Sequence, residues 1–133
     1  MTPFRLKIVA PDKTFFDGET EQIIVKTTEG NVGILANHTK YVANLPAGPL
    51  KVKQEDGSFK SAAISSGIIS VADNAVSILA TTIEWADEID IERAKKAEEV
   101  ARERIKNDDS SKDIDRATLK LKRALNRINV ANE

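Results

Sequence analysis

The sequence predicts a β + α chain, with an N-terminal antiparallel β-sandwich followed by a C-terminal antiparallel two-helix hairpin. Three observations predict it. Apolar and polar residues alternate in short runs from Phe4 through Ala80, the period of a half-buried strand. Turn residues recur there about every 8–12 positions, which suits a sandwich or barrel rather than a βαβ fold. After Glu84 the composition changes: glycine and proline are absent from Asp87 onward, and Ala, Glu, Lys and Arg dominate. The single tryptophan, Trp85, marks the boundary, giving a β domain over residues 1–85 and a helical appendage over 86–133.

Phe4, Leu6 and Ile8 alternate with Arg5 and Lys7, a first strand that Pro11-Asp12 breaks. Asp17-Gly18 reads as a further turn. Glu21–Thr27 carries the β-branched run Ile23-Ile24-Val25, a second strand. Glu29-Gly30-Asn31-Val32-Gly33 reads as a glycine-punctuated loop feeding Ile34-Leu35. Tyr41-Val42 is a short strand closed by Pro46, Gly48 and Pro49. Leu50 and Val52 alternate with Lys51 and Lys53, and Asp56-Gly57 turns the chain into a return strand, Phe59–Ile64. Gly67 leads into Ile68–Val71, Asp73-Asn74 turns, and Val76, Ile78 and Ala80 form the last strand.

In the appendage, Asp87 or Asp90 can cap a first helix. Ala94, Ala97, Ala101 and Ile105 follow a three-four spacing, a narrow apolar stripe. Asn107-Asp108-Asp109-Ser110-Ser111 stops that helix, and Ser110 with Asp113 resembles a capping box for the next. The second helix places Ile114, Ala117, Leu121, Ala124, Leu125 and Ile128 on one face. Its acids Asp113 and Asp115 come early and its bases Lys120, Lys122, Arg123 and Arg127 late, an order that complements the helix dipole. Alanine stripes bury little area, so the hairpin is expected to be marginal alone and capable of two arrangements.

The totals exclude several functions. Twenty Lys and Arg against 21 Asp and Glu give a net charge of −1 over 133 residues, without the basic excess typical of nucleic-acid binding. There is no cysteine and one histidine, His38, so disulfides, thiolate metal sites and His-rich metal sites are ruled out. No nucleophile, base and orienting group can be assembled, so no catalytic residue is expected. No segment approaches the ~20 apolar residues of a membrane span, and no apolar leader is visible. An intracellular chain, soluble in itself, is the expectation.

Candidate sites carry competing readings. Gly30 to Gly33 suggests phosphate cradling but lacks a Lys-Ser/Thr ending, so a structural turn is preferred. His38 reads equally as a docking-loop contact or a surface histidine. Arg123 and Arg127 share a helix face and, with Arg93, could clamp a triphosphate while Asp90 accepts from an amine. The same residues also read as a solvated face with weak ion pairs. Arg116, Lys120, Arg123 and Arg127 read as a basic stripe of the second helix that docks on an acidic protein surface or on RNA. On that last reading the chain is a β-sandwich adaptor.

Several motifs resemble one family, the epsilon subunit of bacterial F-type ATP synthases. Glu29-Gly30-x-x-Gly33-Ile34-Leu35-x-x-His38 is similar to the family's E-G-x-x-G-I-L-P-x-H. Ser66-Gly67 with Val71, and Asn74-x-Val76-x-Ile78-Leu79-Ala80, follow in order. Ile89-Asp90-x-x-Arg93-Ala94 is similar to a motif associated with ATP binding in bacterial members, and Leu121 to Arg127 to the family's C-terminal helix. The resemblance covers the whole chain. It implies a non-catalytic, peripheral subunit on the cytoplasmic face of the plasma membrane, in a complex that couples ion translocation to ATP synthesis. Its sandwich would contact the gamma subunit and the c-ring near Gly30, Asn31, Val32, Gly33 and His38. Its hairpin would fold down or extend toward the catalytic α/β subunits through the basic face of the second helix, and would inhibit hydrolysis when extended. The resemblance implies no required cofactor and no nucleic-acid partner. It gives ATP as a regulatory ligand of the compact form, held by Glu84, Ile89, Asp90, Arg93, Ala94, Arg123 and Arg127. Three positions depart from the pattern: Ala36 replaces a proline, Ile68 a glycine, and Val100 an arginine that ATP-binding members can carry.

Overall fold

The computed structural model describes residues 2–107 and 110–133. The chain divides into two units, Met1–Trp85 and Ala86–Glu133.

The first unit is a sandwich of two five-stranded sheets. The strands are β1 (Phe4–Ala10), β2 (Lys13–Thr20), β3 (Gln22–Thr27), β4 (Gly30–Leu35), β5 (Tyr41–Leu45), β6 (Gly48–Lys53), β7 (Phe59–Ile64), β8 (Gly67–Ala72), β9 (Ala75–Ala80) and β10 (Ile83–Trp85). The first sheet has the order β2-β1-β9-β8-β5, and the second β10-β7-β6-β3-β4. Neighbours pair antiparallel except β1 and β9, which run parallel in register Leu6↔Val76 and Ile8↔Ile78. That one pair departs from a purely antiparallel sandwich. It brings the first strand and the last long one to the centre of their sheet.

The period of two sets the core. Phe4, Leu6, Ile8 and Ala10 of β1 face Ile23, Val25, Leu50, Val52, Ala62 and Ile64 of the opposing sheet, with Ile69, Val71, Val76 and Ile78 completing the layer. Each Leu, Ile or Val side chain among them contributes about 1.5–3 kcal/mol when fully buried. Two buried threonines are satisfied by backbone. Thr20 Oγ1 donates to the Lys53 carbonyl at 2.8 Å. Thr27 Oγ1 donates to the Gly30 carbonyl at 2.9 Å and accepts from the Glu29 N–H at 3.1 Å. The latter closes the β3–β4 turn, where Gly30 holds a φ of 121° that a side chain would resist.

Several expectations are corrected. Asp17-Gly18 is not a turn: both residues lie inside β2, opposite Lys7 and Leu6. The alternation there is masked by a bulge, since Ile8 pairs with Phe16 but Val9 with Thr14, leaving Phe15 extra. The Gly30–Leu35 segment is neither loop nor phosphate cradle but edge strand β4, paired throughout with β3. Gly48 and Pro49 begin β6 rather than closing the preceding strand. The three-residue β10 was not expected. The Asp56-Gly57 hairpin is present. Asp56 accepts from the Ser58 hydroxyl at 2.6 Å and N–H at 2.9 Å, and these bonds lower its carboxyl pKa below the ordinary 3.8.

The second unit opens with a 3-10 turn, Ala86–Glu88, and continues as α1 (Ile91–Asn107) and α2 (Ser111–Ala131). The two helices pack on each other; with so short a connection they must run antiparallel. Buried alanines repeat seven apart on each, Ala94 and Ala101 on α1, Ala117 and Ala124 on α2, a spacing of two turns that permits close backbones. Ala97, placed in the stripe from spacing alone, is exposed, and half-buried Glu98 takes the intervening position. Glu98 pairs with Arg102, one turn on, at 3.0 Å. Ser110 has the extended backbone of a cap (φ −83°, ψ 124°) but makes no side-chain capping bond, so the expected capping box does not form. Asp108 and Asp109 of the predicted connection lie outside the described residues.

Candidate functional site

The outer face of the first sheet carries an apolar row. Strand register places Leu79 of β9 opposite Ile68 of β8 and beside Val9 of β1, with Asn44 of β5 next to Ile68. Leu79 is 59 % exposed, Ile68 46 % and nearby Val42 of β5 71 %. Exposed branched aliphatics clustered on one sheet face mark a contact surface more than a scattered few would. A shallow open depression, lined by Pro11, Asn44, Ile68, Leu79 and Thr81, ends the row. Sequence reasoning missed this surface. The signal was in the doublets Ile68-Ile69 and Ile78-Leu79, which put apolar residues on both faces of adjacent strands.

The predicted docking residues divide. Gly30, Asn31 and Gly33 are exposed along edge strand β4, whereas Val32 packs against the core. Beyond β4, Asn37 adopts the left-handed φ of 62°, and its N–H donates to Asn74 Oδ1 at 2.7 Å. Asn74 Nδ2 in turn donates to the Pro3 carbonyl at 3.3 Å. One asparagine thus ties the β4–β5 loop to Pro3, the residue before β1. His38 is half-buried, its Nδ1 2.8 Å from the Thr39 carbonyl and its ring edge-on to Tyr41 at 5.9 Å. The loop is thus tied at Asn37, and the histidine contacts its near neighbours Thr39 and Tyr41.

The predicted nucleotide residues fall in both units. Glu84 lies in β10 of the sandwich, opposite Ala63 of β7. In the hairpin, Asp90 is the N-cap of α1: its Oδ1 accepts from the Arg93 N–H at 3.1 Å and its carbonyl from the Ala94 N–H at 3.0 Å. Ile89 and Ala94 are buried, so they pack rather than present polar atoms. Arg93 is exposed on α1, while Arg123 and Arg127, four residues apart on α2, are half-buried. Val100 is 41 % exposed. The motif Ile89-Asp90-x-x-Arg93-Ala94 therefore has a local structural role, starting a helix and seating it, before any ligand is considered. Among the described residues, no three His, Asp or Glu side chains are placed to hold a metal ion, and no helix is long and apolar enough to cross a membrane.

Comparison with known proteins follows the same division. Residues 3–86 match the family described as ATP synthase, Delta/Epsilon chain, beta-sandwich domain. Residues 87–132 match ATP synthase, Delta/Epsilon chain, long alpha-helix domain. The chain is 47 % identical to the ATP synthase epsilon chain of Ruminococcus albus, over 100 % of this chain and 99 % of that one. It is 39 % identical to that of Bacillus pumilus over 100 % of both. Among solved structures it is similar to a chain of the Euglena gracilis mitochondrial ATP synthase, OSCP/F1/c-ring. There the TM-score is 0.84 at 27 % identity, covering 96 % of this chain and 80 % of that one. A chain of the Tetrahymena thermophila enzyme shares the fold, with a TM-score of 0.71 at 20 % identity over 96 % and 95 % of the two chains. The chain belongs to the delta/epsilon family of ATP synthase subunits, as an epsilon chain that is itself non-catalytic.

Proposed function

We propose that the sandwich seats this subunit on the central stalk, peripheral to the membrane on its cytoplasmic face, while the hairpin regulates ATP hydrolysis by the complex. The observation that carries the first part is the exposed row of Val42, Ile68 and Leu79 on one face of the sandwich. A related chain of 27 % identity is part of an F1/c-ring assembly, which makes a stalk protein the fitting occupant. On this reading the apolar row meets the gamma subunit. The exposed edge residues Gly30, Asn31 and Gly33, with the His38 loop, face the c-ring. The basic residues of α2 reach toward the catalytic α/β subunits. Capture of this chain by gamma subunit, lost when Ile68 and Leu79 are both made charged, tests the placement. Retention would move the contact elsewhere.

ATP is the proposed regulatory ligand of the compact hairpin. Asp90 and Arg93 at the start of α1 and the Arg123/Arg127 pair on α2 supply the acceptor and guanidinium chemistry that adenine and phosphates need. Val100 lowers the expected affinity, because one charge-assisted contact of about 1.5–3 kcal/mol is missing, roughly one to two orders of magnitude in binding. Titration calorimetry at millimolar ATP tests this, and absence of heat would leave the motif as a helix start alone.

A further inference from the structure

The sandwich ends in a short edge strand. β10 has three residues, lies at a sheet edge and, among the described residues, pairs with β7 alone, in register Ile83↔Ile64 and Trp85↔Ala62. A short edge strand with one neighbour is the kind of element that frays first. The next residue, Ala86, already belongs to the second unit. The Trp85–Ala86 peptide is therefore the covalent link between the two units.

Trp85 is held from two sides of the fold. The Phe15 ring lies 4.5 Å away, centroid to centroid, at an interplanar angle of 32°. The Lys60 ammonium stands 4.3 Å from the Trp85 ring centroid, and Lys13 lies 5.6 Å from that of Phe15. Phe15 comes from β2, the outermost strand of the first sheet, and Trp85 from β10, the outermost of the second. The ring pair thus joins the two sheets at one open edge. The bulge in β2 makes this possible. It adds Phe15 as an extra residue against β1, and bulges re-aim side chains at sheet edges. Lys60 is the diagonal cross-strand neighbour of Trp85, two residues from its partner Ala62.

We propose that Phe15, Trp85 and Lys60 form a clasp that fixes the pivot of the hairpin. The clasp keeps β10 zipped to β7 and confines bending to the residues after Trp85. The two-sheet sandwich then keeps one shape whichever arrangement the hairpin adopts. The pivot role rests on the reading that the hairpin moves; the clasp does not.

The test uses the full chain with Phe15→Leu and, separately, Lys60→Met, a surface change that leaves folding intact. Amide hydrogen exchange should quicken about two- to tenfold at residues 83–85 in Phe15→Leu, and less in Lys60→Met, with Ile8 and Ile78 unaffected. Unchanged exchange at residues 83–85, or equal acceleration throughout the sandwich, overturns the clasp. Hairpin movement is read separately. The chain has no native cysteine, so spin labels at Lys40→Cys and Lys120→Cys report a distance without interference. Two distance populations in the wild-type background, with residues 83–85 equally protected in both, support a fixed pivot. A single distance under all conditions overturns the pivot role, while the exchange experiment still decides the clasp.

Discussion

The Asp90 carboxylate accepts a hydrogen bond from the backbone N–H of Arg93 at 3.1 Å. The residue that would receive the adenine amino group is thus already the cap of α1. The two roles make different demands. A cap needs only a short side-chain oxygen, whereas an amine acceptor in competition with water benefits from charge. Asp90→Ala should lower hairpin stability by about 1 kcal/mol whether or not ATP is present. Asp90→Ser should keep the cap and the helical circular dichroism, yet weaken ATP binding about tenfold. Equal ATP affinity for Asp90→Ser and wild type, measured calorimetrically, would leave Asp90 as a cap only.

Val100 lies on α1, substantially exposed, so a longer polar side chain can be accommodated there without disturbing the alanine seam. Val100→Arg should restore one guanidinium contact and tighten ATP binding by about 10–100-fold, with hairpin stability within about 0.5 kcal/mol of wild type. If titration shows no gain, the phosphates do not lie on that side of α1.

The apolar row predicts a separation of stability from assembly. Ile68→Glu or Leu79→Lys changes a solvent-facing position, so thermal unfolding of the isolated chain should move by no more than about 0.5 kcal/mol. Capture by gamma subunit should fall at least about tenfold, the scale of a buried interface anchor. A variant that unfolds early and still assembles would reverse this assignment.

Gly67 makes the opposite prediction. A Cβ built there lies 2.4 Å from the Leu79 carbonyl oxygen and 3.2 Å from the Ala80 Cα, both backbone. Neither can swing aside, so β8 and β9 would have to separate next to the row they present. Gly67→Ala should cost about 2–3 kcal/mol, a fall of roughly 10–20 °C in Tm for a domain of this size. A Tm within two or three degrees of wild type, roughly the effect of half a kcal/mol, would show that the strand pair gives more easily than its geometry implies.

Much of the sandwich is legible because its burial follows one rule. Leu6 and Val52 each sit between two polar residues and are buried. The rule fails where a second cause competes. At β2, the bulge at Phe15 breaks the alternation, and Asp17-Gly18 imitates a turn although β1 holds both in register. At β4, glycines at 30 and 33 suggest a loop, but an edge strand tolerates them because only one side needs a partner. In α1, equal apolarity at Ala97 and Ala101 hides that a stripe of period 3.6 takes Glu98 in preference. The outer apolar row is invisible to a method that assigns each strand one apolar face. Asp90 shows the remaining gap: sequence places it at a helix start and in a ligand motif, and only the bond to Arg93 shows the first of these roles.

In the proposed function the hairpin restrains hydrolysis while the sandwich holds the subunit in place. The most direct measurement is ATP hydrolysis by the assembled complex carrying this chain ended after Asp87, compared with the complex carrying the full chain. Binding of the shortened chain to the stalk is verified in the same preparation. A several-fold rise in hydrolysis with assembly intact is the predicted result. Unchanged hydrolysis in a complex that retains the sandwich would contradict the regulatory role of residues 88–133.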